Sequence, residues 1–158
     1  MEKYPYLFDL SYIYTTGEKM SKEKFIAIAL EAISSFMPNV KSFVVNAFDK
    51  VGFDLDTTGR KRHIKWIQEE LRSAFWRNGY GNVNIAIWNM HLNVDHDFDE
   101  RTILVTGLVP MGNGGGFRVV VFKGGGWLMN NGDRGFENWR CSGNQSIRNN
   151  VITFDPIN

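Results

Sequence analysis

The sequence predicts an α+β protein: about three helices over residues 21–79, packed on a mainly antiparallel sheet built from residues 4–14 and 81–155. Three observations predict it. Apolar residues of the first half recur at three- and four-residue intervals, the helical period. From residue 81 they alternate, the period of a half-buried strand. Short apolar runs in that half are separated by Gly and Asn turns, which favours antiparallel neighbours. With one change of period, no repeat and no linker, all 158 residues form a single domain.

The first strand lies in "YPYLFDLSYIY". Tyr4, Tyr6, Phe8, Leu10, Tyr12 and Tyr14 share one face, and Pro5 suits a sheet edge. Ser21 caps the first helix, whose stripe is Phe25, Ala29, Ile33 and Phe36, and Pro38 stops it. Asn39 opens a second helix with Val40, Phe43, Val44, Ala47, Phe48 and Val51 along its apolar side, and Gly52 suits its end. The third buries Ile64, Ile67, Leu71 and Phe75 and ends at Gly79.

The strand half begins with "GNVNIAIWNMHLNV". Ala86, Trp88, Met90, Leu92 and Val94 face one way, and "DHDFDER" is a charged turn. "TILVTGLV" returns as a strand that Pro110 and "MGNGGG" break. "FRVVVF", "WLMN", "FENWRC" and "VITF" complete the set. In "GGGWLMNNGDRGFENWR", "GGG" and "NNGDRG" read as two hairpin turns around a strand from Trp127 to Met129. There Asn131-Gly132 supplies positive φ and Asp133 bonds the backbone locally. Beyond it Glu137, Trp139 and Cys141 share one side, so one of the two Trp-bearing faces belongs to the core.

Composition narrows the function classes. Apolar residues make up 43% and aromatics 14%, enough for a core without disulfide or metal staples. The single cysteine, Cys141, allows no intramolecular disulfide. A net charge of +1 argues against a nucleic-acid binder that works by bulk electrostatics. The first residues carry no basic leader, apolar core or cleavage site, and no run approaches the roughly 20 apolar residues of a spanning helix. These features suit the cytoplasm of the producing cell, with release by a leaderless route left open.

No constellation demands catalysis. Asp95, Asp97, Asp99 and Glu100 beside His91 and His96 have the chemistry of a cation site, but a solvated hairpin tip explains them as well. "DLDTTG" opens like a calcium loop, yet Lys65 stands where the bidentate acid belongs. "GNGGG" precedes a strand rather than the helix a phosphate loop requires. Cys141 alternates into the core, and no nucleophile elbow occurs. The expectation is no enzyme, no metal and no cofactor.

Binding is the better prospect. Arg60, Lys61 and Arg62, with Lys65, could meet phosphate or an anionic lipid surface, or form a solvated helix flank. Trp66, Trp76, Tyr80 and Trp88 suit interfacial anchors or, more simply, the core. Residues 21–51, sparse in charge, could cover the sheet or lie in a membrane interface. Trp127, Asp133, Arg134, Asn138 and Trp139 gather aromatic platforms and polar groups around one turn.

Two resemblances bear on function. Gly132, Asp133, Gly135, Phe136, Asn138, Trp139 and Gly143 match a pattern in small microbial proteins described as stress proteins, with Arg134 in place of a glycine. That resemblance implies no established chemistry. The order of helices, Trp-rich helix, "NVNIAIWNMHLNV" and charged turn over residues 21–110 resembles the Cyt-type cytolytic toxins. It implies a single domain without disulfides, with helices wrapped over a sheet. The expected function is therefore non-enzymatic binding, toxin-like or defensive, toward a membrane lipid or surface receptor, with oligomers allowed on the target. The alternatives are an intracellular stress-associated structural or interaction protein and a metal-dependent enzyme using His91, His96 and the Asp95–Glu100 turn.

Overall fold

The computed structural model describes residues 7–8, 42–45, 57–112, 115–132 and 138–158. Among these the chain is α+β, with one α-helix, a short 3-10 helix (Glu100–Thr102) and ten strands. The elements are β1 (Leu7–Phe8), β2 (Ser42–Val45), α1 (Thr57–Arg77), β3 (Asn84–Asn89), β4 (Val94–Phe98), β5 (Ile103–Gly112), β6 (Gly115–Phe122), β7 (Gly126–Asn130), β8 (Trp139–Ser142), β9 (Gln145–Arg148) and β10 (Val151–Phe154).

The strands form two sheets where the sequence suggests one. The larger has the order β1-β2-β5-β6-β3-β8 and the smaller β4-β7-β10-β9. β1 pairs with β2, and β2 with β5, in parallel; the other pairings are antiparallel. The strand period sorts the side chains into two cores. Ala86, Trp88, Val120 and Phe122 point from the larger sheet toward Phe98, Leu128, Ile152 and Phe154 of the smaller. Phe122 lies 4.6 Å from Phe98 and 4.9 Å from Phe154 between ring centroids, within the range of favourable aromatic pairs. Ile85, Ile87, Val119 and Val121 alternate onto the opposite face and are fully buried, as are Ile64 and Ile67 of α1. Arg140 on that face of β8 donates from Nε to Gln68 Oε1 of the helix. The order of layers is helix, larger sheet, smaller sheet.

Several sequence expectations are corrected. Residues 42–45, expected inside a second helix, are strand β2, so the described residues hold one α-helix rather than about three. "SFVV" sits between two strands in parallel, and such strands read as continuous apolar runs that a helical stripe also fits. The rest of the expected helical pair, and most of the strand expected over 4–14, lie outside the described residues.

The run 81–94 is not one strand. It stops at Asn89, whose Oδ1 accepts from His91 N at 3.0 Å while Leu92 N donates to Asn89 O at 2.8 Å. The expected charged turn is instead the strand β4, which begins the second sheet. β5 runs through Pro110 to Gly112, accommodating it beside a register shift.

The last correction concerns the two turns around Trp127. β6 and β7 belong to different sheets, so "GGG" is a crossing between layers and not a hairpin. A side chain at Gly126 would meet Asp97 O at 2.5 Å, which explains the glycine there. At the second turn, Asn130 Oδ1 accepts from Gly132 N at 2.9 Å, and neither Asn131 nor Gly132 takes positive φ. A further hairpin, β9 to β10, turns at Asn149 with φ 57°.

Candidate functional site

The outer flank of α1 is the most distinctive surface among the described residues. Ile64, Ile67, Leu71, Ala74 and Phe75 are at most 1% exposed and fix which side faces the sheet. The helical period then turns Lys61, Arg62, Lys65, Arg72, Trp76 and Arg77 outward, and all six are exposed. The helix carries six cationic and two acidic residues, a net +4, in a chain of net +1. The rest of the chain is therefore at −3, and near neutrality conceals a strong partition of charge.

Trp76 is 63% exposed, far beyond Trp127 at 36%. Burying an indole is worth several kilocalories per mole, so a tryptophan left in water on a cationic flank asks for a partner. It lines a groove of about 320 Å³ with Arg72, Ser73, Arg77 and Asn82. The backbone beneath is firmly capped. Gly79, at φ 85°, lets its N–H reach Trp76 O at 3.1 Å, and Tyr80 N donates to Phe75 O at 3.0 Å. That double bond pattern is a Schellman cap, completed by Tyr80 packing edge-on against Phe75 at 5.2 Å. Lys123 Nζ donates to Asn82 O at 2.5 Å, adding a third cation beside the groove. Cations are favoured here because the helix C-terminus carries negative partial charge.

A second cavity of about 350 Å³ adjoins the groove at Arg72 and Asn82 and is lined further by Val83, Ser142, Gly143, Asn144 and Ile157. Its wall is the turn from β8 to β9, held by Asn84. Asn84 is fully buried, donates to Gly124 O at 3.0 Å and Asp155 O at 3.1 Å, and accepts from Asn144 N at 2.8 Å.

The expected site residues are dispersed. Lys61 and Arg62 are exposed on the flank described above, and Arg60 is half-buried next to them. Trp127 lies on the outer face of the smaller sheet, paired across to Asp97 and Thr153. Trp139 is 2% exposed within the inter-sheet core, and Asn138 is buried, accepting from Asn89 Nδ2 at 3.2 Å and from Asn89 N at its carbonyl. Both serve the fold in this arrangement. Asp133 and Arg134 lie outside the described residues. Of the aromatics expected in the core, Trp88 is buried and Trp76 is not. The signal that finds Trp76 was legible: it lies one step off the stripe of Ile64, Ile67, Leu71 and Phe75, and four residues from Arg72.

The acidic segment does not converge. Asp95 and Asp97 alternate with His96, whose ring packs on Trp88 at 5.1 Å and stacks on Phe98 at 5.2 Å. Among the described residues no three His, Cys, Asp or Glu side chains gather to hold a metal. Cys141 packs against the inter-sheet core from edge strand β8. Burial pushes its thiol up to about 12, against a backbone hydrogen bond at Ile87 that lowers it. The residue as a whole keeps partial exposure, but the sulfur's dry surroundings set its chemistry, which is that of an inert thiol.

No helix among the described residues is long and apolar enough to cross a membrane. No family model matches the chain, and no match was found among curated proteins or solved structures.

Proposed function

We propose that the protein is a non-enzymatic binding protein that docks on an anionic membrane surface through the outer flank of α1. The observation that carries this reading is Trp76, 63% exposed between Arg72 and Arg77 at the end of a helix of net +4. The physics is that of an interfacial helix. Each cation near an anionic leaflet is worth about 1 kcal/mol, and an indole settles at the headgroup level. Lys61, Arg62, Lys65, Arg72 and Arg77 supply the attraction and Trp76 the anchor. Docking of this kind needs no spanning segment. A toxin-like or defensive role follows if docking leads to oligomers on the target.

The test is sedimentation with vesicles of neutral lipid and of neutral lipid mixed with anionic lipid. Binding to the anionic vesicles only, with a blue shift of tryptophan emission lost in W76A, is the expected result. Equal absence of binding to both vesicles overturns the reading.

A further inference from the structure

We infer that the cavity beside the groove is a subsite for a tetrahedral phosphate group. Arg72, Asn82, Ser142 and Asn144 line it from the helix, the loop before β3, the end of β8 and the turn that follows β8. Among the described residues that line it there is no carboxylate side chain. Donors that converge from several directions match the spread oxygens of a phosphate better than the planar fork of a carboxylate. Arg72 contributes the charge and up to five N–H donors.

The second observation is Ser142. Its Oγ is covered by protein and has no hydrogen-bond partner. A buried hydroxyl left without a partner is uncommon and costs stability. Ser142 alternates with Cys141 on β8, so its side chain lies on the helix-facing side of the sheet, the side of Arg72. To meet an anion in the cavity, the covered hydroxyl has to turn to another of its ordinary χ1 rotamers. Phosphate satisfies at one stroke the unpaired hydroxyl and the guanidinium. The choice of phosphate rests on the membrane reading, since Arg72 and Asn82 line both the groove and the cavity. The group arrives either on a lipid headgroup or as the free ion.

Inorganic phosphate titrated into the isotope-labelled protein, without vesicles, should give saturable amide shifts centred on Gly143 and Asn144. R72Q should weaken the affinity by about tenfold or more, and S142A by about fivefold, both with the melting temperature retained. Glycerophosphodiester competing with the free ion identifies a headgroup site; no competition identifies a site for the free ion. Shifts that do not saturate, or affinities unchanged in both variants, overturn the inference. Vesicle docking that persists without phosphate saturation removes this subsite and leaves the membrane reading intact. Phosphate saturation without vesicle docking removes the membrane reading alone.

Discussion

At the scale of single residues, Asn84 ties distant parts of the chain together. It is fully buried, and its three hydrogen bonds reach residues 40, 60 and 71 positions away. N84A leaves two carbonyls and one N–H without their partner, a cost of about 3 kcal/mol or more. N84D keeps the acceptor but turns both donors into a carboxylate facing carbonyls, so urea unfolding at pH 7 should rank it below N84A. Nothing in the letter Asn distinguishes such a hub from a turn residue, because the partners are supplied by the fold. Cys141 was the opposite case. Alternation with Trp139 placed it inward, and the structure packs it there. Its thiol stays protonated up to about 12 in the fold, against 9.0 when free. Between these values the unfolded chain releases a proton that the folded chain keeps, so stability is complete below pH 9 and falls as pH rises above it. Wild type should lose on the order of 1 kcal/mol by pH 10 relative to C141A, as read by urea unfolding across pH 8–10.5.

At the scale of elements, the length of the pattern decided what could be read. α1 repeats its stripe over 21 residues, and its phase survives in the structure. Neighbouring residues should therefore respond in opposite ways. F75A removes a ring that is 1% exposed and should cost about 3–5 kcal/mol in chemical denaturation. W76A, one step round the helix, should leave the midpoint within about 0.5 kcal/mol of wild type. A matching loss in W76A would place the indole inside the fold. β2 is four residues long and pairs on both sides, and over so short a span a strand and a helical stripe share one apolar pattern. The break at Asn89 was hidden for a different reason. Leu92 and Val94 pack on the same core as Ala86 and Trp88, so the facing of these residues was legible although the strand that carried them was not. Only the turn chemistry of Asn89, a side chain accepting from the backbone two residues on, separates β3 from β4.

At the scale of the whole molecule, the described residues concentrate their net charge on one element, α1. Alternation along strands told which residues are inward but not that two sheets share them, and the net charge of +1 told nothing of its distribution. Once α1 is placed outside the larger sheet, its +4 occupies one layer, while the charges on the other described residues cancel. The smaller sheet turns Asp95 and Asp97 outward on the far side. In the proposed docking, an anionic surface attracts the helix layer, and α1 is the side that meets it. Two consequences separate this from diffuse attraction by any basic residue. K61E/K65E, both exposed on the flank, should abolish most binding to anionic vesicles, whereas R148E, exposed on the smaller sheet, should change it little. Raising salt from about 0.05 to 0.5 M should weaken the wild type steeply, because the screening length falls below the separation of surface charge and headgroup. Equal losses in the two charge reversals would mean that net charge, and not the helix face, governs binding.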